Sequence, residues 1–225
     1  MKKLVLIFSI LFMLTSCGKS DEEKLNELIA EAAKSTLFIP ESYDPVSLQC
    51  DSMSINVINE ENIKKASRII ELGEKANSIQ RSIESDMQQR DFWRGKSSDY
   101  YREYANKVEK NVSQRMKWES EMSNLLTELQ REYWDKKENG EFCGYLVAHR
   151  FRAKNNVGTV GFCDMIFLLN KDKTEVLSAY NVNDENFQNF MKVIDTIIEL
   201  GPENISEDNI NLEETVNEIN SLFEN

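Results

Sequence analysis

Three prolines, eight glycines and one histidine among 225 residues leave this chain short of several common building materials. With so little proline and glycine there is no segment that reads as a flexible linker, which favours continuous folded chain over a string of tethered modules. His149, the lone histidine, cannot by itself supply a metal site of the usual kind, which takes three or four ligands at recognisable spacing, so no metal and no cofactor is expected. Basic residues are outnumbered, 27 against 39 acids for a formal charge of −12, and that balance argues against a nucleic-acid partner. No apolar run reaches the roughly 20 residues needed to span a bilayer core. Gly18-Lys19-Ser20 and Gly95-Lys96-Ser97 lack the upstream glycine and preceding strand of a phosphate-binding loop.

What is present begins at the amino terminus. Lys2 and Lys3 precede an apolar stretch from Leu4 to Leu14, the charge and length of a signal peptide. Leu14-Thr15-Ser16-Cys17 resembles the lipobox of bacterial lipoproteins. The resemblance implies removal of residues 1–16 and lipidation of Cys17, whose acyl chains would hold a soluble domain on a membrane. Gly18-Lys19-Ser20-Asp21-Glu22-Glu23 is similar to the short acidic export signal of some outer-membrane lipoproteins of Bacteroidota-type bacteria, and it also reads as a helix start, Ser20 capping with Glu23 as its reciprocal partner.

From Leu25 onward the apolar spacing alternates between helical and extended periods. Leu25, Leu28, Ile29 and Ala32 share a helix face; Val46, Leu48 and Cys50 alternate as in a half-buried strand. Two long amphipathic helices within 57–138, broken at Arg94-Gly95-Lys96, predict an antiparallel helical hairpin. Residues 141–181 read as a β-meander turning at Asn155-Asn156-Val157-Gly158, and 184–225 as acidic helices with eleven acids and only Lys192 as a base from Val182 on. The expected fold class is α+β: a small antiparallel meander packed with helices and carrying the long hairpin, in one mature domain over 17–225.

The densest chemical cluster is Ala148–Gly158, where His149, Arg150, Arg152 and Lys154 form a basic spot in an acidic chain. Such a spot is a candidate site for a carboxylate, phosphate or acidic sugar, although pairing of these cations with the acidic C-terminal segment is the reading the charge pattern favours. Cys50, Cys143 and Cys163 remain after Cys17; a disulfide from Cys50 to Cys143 or Cys163 is the most plausible pairing, beside three free thiols. A hairpin turning near Asn156 sets Cys163 opposite Ala148 or His149, which raises a thiol nucleophile assisted by His149, although nothing else completes an active site. The aromatics Phe92, Trp93, Tyr100, Tyr101 and Tyr104 gather at the hairpin turn, where they either seal the end of the helix pair or meet a partner.

Two strings carry a further resemblance. Tyr145-Leu146-Val147-Ala148-His149-Arg150-Phe151-Arg152-Ala153-Lys154-Asn155-Asn156-Val157-Gly158 and the upstream Pro40-Glu41-Ser42-Tyr43-Asp44-Pro45 are similar to motifs of a family of cell-envelope lipoproteins of Bacteroidota-type bacteria that has no known activity. The resemblance implies a shared α+β domain and no catalytic residues. The expectation is a lipid-anchored outer-membrane protein of the cell envelope that binds a ligand, a protein or a glycan without chemistry; an envelope hydrolase or thiol enzyme using Cys163 and His149, and a structural envelope component, are the alternatives.

Overall fold

The computed structural model describes residues 19–202, which form an α+β fold. In chain order the elements are α1 (Asp21–Ser35), a 3-10 turn (Pro40–Ser42), β1 (Asp44–Met53), α2 (Glu60–Trp93), α3 (Ser98–Asn139), β2 (Gly144–Lys154), β3 (Val160–Leu169), β4 (Val176–Asn181) and α4 (Glu185–Leu200). The signal stretch 1–16, Cys17 and the amphipathic run Ser206–Phe223 lie outside the described residues. None of the described helices is long and apolar enough to cross a membrane.

Contacts gather the chain into two compact units. One joins the segment ending at Met53 to Gly144–Asn181; the other joins Ser54–Cys143 to the segment starting at Val182.

The first unit is the sheet with α1. The strands run in the order β1-β2-β3-β4, all antiparallel, so the early strand β1 forms one edge and the meander supplies the rest. Helix α1 starts where the capping box predicts: the Glu23 N–H donates to the Ser20 hydroxyl at 3.1 Å and the Ser20 N–H to the Glu23 carboxylate at 2.8 Å. Its stripe of Leu25, Ile29 and Ala33 is buried with Val147, Phe151, Ala153, Met165, Phe167 and Leu169 of the sheet. Side chains of this size contribute about 1.5–3 kcal/mol each on full burial, which is what fixes the helix to one sheet face. Gly144 opens β2 at φ +146°, and a Cβ there would stand 2.1 Å from the Leu169 carbonyl oxygen, so only glycine fits the close approach of β2 to the end of β3.

The second unit is the helical hairpin with α4. Asn59 caps α2 and Ser97 caps α3, with Gly95 in the turn at φ +76°. The inner half of the hairpin is well filled: Ala66, Ile69 and Leu72 meet Met122, Leu126 and Leu129, and α4 closes the cluster with Phe190, Val193 and Ile197. The amide nitrogen of buried Asn62 has both its hydrogens placed, donating to the Val57 carbonyl at 3.0 Å and to Glu132 at 2.9 Å. The outer half is different. Between Ile83 and Met122 neither helix has a buried residue among those described, and polar side chains cross between the helices here and at its inner edge: Asn111 donates to Asp86 at 3.2 Å and Arg115 to Gln80. At the tip, Trp93 lies between Phe92 and Tyr100 with ring centroids 5.0 and 4.8 Å away, and the Lys96 ammonium sits 3.6 Å over Phe92. The aromatics thus cap the turn with one another, while Phe92 and Tyr100 stay largely exposed.

Candidate functional site

Because side chains alternate across a strand, β2 divides the basic spot in two. Val147, His149, Phe151 and Ala153 are buried, with His149 only 4% exposed, while Arg150, Arg152 and Lys154 point to the exposed face. His149 therefore does not join the three cations, and the four residues do not form one anion site.

On the covered face the imidazole is held at both nitrogens. Nδ1 lies 2.8 Å from the Ser47 carbonyl oxygen and Nε2 2.8 Å from the Tyr43 hydroxyl. A carbonyl can only accept, so Nδ1 carries the hydrogen; the neutral ring then accepts at Nε2, and the Tyr43 O–H is the donor. Burial pushes His149 below the ordinary imidazole pKa, outweighing the Ser47 bond, and burial also raises Tyr43. Both groups are therefore neutral at pH 7. The His149 ring stacks on Phe151, centroids 5.2 Å apart, and Tyr43 tilts against the same phenylalanine at 5.3 Å.

Tyr43 and His149 line a cleft of about 450 Å³ between α1 and β1. Asn26, Glu27 and Ala30 of α1 form one wall; Val46 and Leu48 of β1 belong to the other. Val46 owes its place to a bulge, since the pairing with β2 steps from Pro45 to Ser47 and leaves Val46 out of register. The Glu27 carboxylate stands at the cleft, bonded to the Lys19 ammonium at 2.5 Å. Lys34, one turn beyond the cleft on α1, lies 5.4 Å over the Tyr43 ring.

On the exposed face two of the cations have partners on neighbouring strands, while most of the acidic C-terminal segment lies outside the described residues. Arg150 grips Asp164 of β3 through two bonds of 2.6 and 3.0 Å, and Arg152 reaches Asp44 of β1 at 3.6 Å. The Arg150 bonds hold the Asp164 carboxyl below its usual range. Both guanidinium groups flank Phe162, 60% exposed, at 5.8 and 5.3 Å from its ring centre. Lys154 has no ionic partner among the described residues.

Among the described residues no disulfide joins Cys50, Cys143 and Cys163 to one another. Cys50 sits opposite Val147 and Cys163 opposite Phe151, so they are two strands apart and four residues out of step, well past the roughly 7 Å reach of a disulfide. Cys143 precedes Gly144, whose partner is Met53, three residues along β1 from Cys50. The register also moves Cys163 away from His149: the loop centres on Val157, one residue later than expected, and His149 faces Met165. Burial, and then the Asp164 charge, raise the Cys163 thiol above its ordinary pKa, and His149 has both nitrogens committed elsewhere. Among the described residues no group of three His, Cys, Asp or Glu side chains is placed to hold a metal ion.

The two strings quoted for the lipoprotein resemblance meet in space. Ser42 accepts from the Lys154 N–H at 2.8 Å, Tyr43 bonds His149, and Asp44 pairs with Arg152. Three consecutive residues of one string are thus bonded to three alternate or near-alternate residues of the other. No family model, curated protein or solved structure matches the chain.

Proposed function

We propose that this chain is a lipid-anchored protein of the cell envelope, tethered to the outer membrane through Cys17, whose sheet unit is a ligand-binding module that performs no chemistry. The observation that carries the binding half of this reading is the cleft of about 450 Å³, a volume within the ordinary range for small-molecule sites, with apolar walls and a few convergent polar groups. Its polar pair Tyr43 and His149 is neutral and already hydrogen-bonded, which suits recognition better than proton transfer. The anchor half rests on the lipobox at Leu14–Cys17. A protein or glycan that meets Arg152, Lys154 and Phe162 on the open face is the further partner class this surface suits, since charge and an exposed ring lie side by side there.

Both halves have a direct test. Cells fed an alkyne-tagged fatty acid should label the full chain and not the Cys17→Ala variant; equal labelling removes the anchor. Because the chain has one histidine, its ring resonances report the cleft without ambiguity. A panel of small amphipathic molecules with cationic, neutral and anionic heads should shift them for at least one head type. If none does, the cleft is not a ligand site.

A further inference from the structure

We infer that the cleft selects small amphipathic amines and releases them on acidification, because the Tyr43 hydroxyl presents only lone pairs to a ligand until His149 is protonated. This rests on the ligand-binding reading above and names its ligand class.

The argument starts from the fixed tautomer. The Ser47 carbonyl takes the Nδ1 hydrogen, the Tyr43 hydrogen is spent on Nε2, and what the phenol oxygen offers the cleft is acceptor capacity. Glu27, at the same cleft, adds a carboxylate whose bond to Lys19 leaves it able to accept further hydrogen bonds. A ligand head that donates hydrogen bonds and carries positive charge satisfies both; a carboxylate head satisfies neither and meets Glu27 as a like charge. Ala30, Val46 and Leu48 provide the apolar surface for a short hydrocarbon body.

Protonation inverts this arrangement without breaking the pair. Imidazolium has a hydrogen on both nitrogens, so Nε2–H must donate to the Tyr43 oxygen, and the phenolic hydrogen turns to its other in-plane position, away from the ring. The hydroxyl then donates to the cleft, and a positive charge has appeared behind it. Both changes disfavour an ammonium and favour an anion. The other titratable or charged groups near this pair are Glu27, with its partner Lys19, and Lys34 from α1; Cys50 from β1; and Cys163 from β3, while Asp44, adjoining Tyr43, pairs with Arg152 on the open face. His149 is the one group of the set whose ordinary pKa is about 6.5.

The probes are hexylammonium, hexanol and hexanoate, added to the full chain, which keeps the Lys19–Glu27 bond, and read by the His149 ring resonances. Hexylammonium should bind above neutrality with hexanoate far weaker. Lowering the pH through the His149 transition should weaken the amine by about tenfold or more, from the lost hydrogen bond and the added like charge, since an alkylammonium, like lysine near 10.4, keeps its charge throughout. Glu27→Gln, at an exposed position, should weaken the amine while leaving the pH dependence in place; Tyr43→Phe should remove the pH-dependent reversal of head preference. Hexanoate binding as well as hexylammonium at neutral pH, or an amine affinity that ignores His149 protonation, overturns the inference while the cleft remains a ligand site. If none of the three probes perturbs the ring, both the inference and the ligand-binding reading fall.

Discussion

The two faces of β2 carry their polar groups on opposite terms. On the covered face a single imidazole is enclosed, its two nitrogens matched by Ser47 and Tyr43 and its ring stacked on Phe151. On the open face three cations stand in solvent, two of them paired with aspartates of adjacent strands. The difference is one of consequence. A buried polar group left without its partner costs the full desolvation penalty, so each member of the covered set constrains the others. Exposed ion pairs are screened and contribute little, so the open face can change residues without disturbing the fold. Fold specification lies on one side of the strand and freedom for recognition on the other.

The largest effect that would sharpen this contrast comes from exchanging one phenylalanine on each face. Phe151→Ala removes a fully buried ring and should cost about 3–5 kcal/mol in equilibrium urea unfolding, whereas Phe162→Ala, 60% exposed, should cost about 0.5 kcal/mol or less. Equal losses would mean that the open face is as strongly packed as the covered one.

Acid gives the next effect. His149 has its pKa depressed in the fold by burial, so between that value and the ordinary 6.5 the unfolded chain binds the extra proton. Stability is therefore unaffected well above 6.5, falls as pH drops through 6.5, and levels off below the folded value. Urea unfolding at a series of pH values should show this step, and His149→Gln should flatten it. At lower pH a second loss of the same sign follows from carboxyl groups held below their usual range: Asp164 by its Arg150 bonds, and Glu132 by Lys136 and Asn62 against the opposing pull of burial.

The smallest effect belongs to the open-face ion pair. Asp164→Asn should move the unfolding midpoint by an amount close to the scatter of the measurement, and the shift should shrink further at high salt. A loss comparable with that of Phe151→Ala would place the Arg150–Asp164 pair among the residues that hold the sheet.

Much of the fold was legible because its signals are local. The capping box at Ser20 and Glu23, the breaks at Gly95 and Gly140, and the changes of period along the chain mark helices and strands without any knowledge of their neighbours. The site was less legible. That His149 parts company with Arg150, Arg152 and Lys154 follows from counting residues along a strand, and this signal was present in the sequence. The Tyr43–His149 bond was not, since it depends on β1 pairing with a strand about a hundred residues later and on a bulge at Val46. Asp164 as the partner of Arg150 was hidden by a one-residue error in the centre of the loop, which moves every cross-strand pair by two residues.

The polar seam of the outer hairpin has an effect beyond its own modest bonds. Helices that meet through an uninterrupted apolar stripe can slide past one another by a turn, or trade partners with another chain, at little loss. Asn111 on Asp86 and Arg115 on Gln80 are partners in one alignment only, so any such slip gives up both bonds to water. The seam works as a key in a lock: it favours one alignment of two helices that rise about 1.5 Å per residue, and with it one distance between the aromatic tip and the packed inner half.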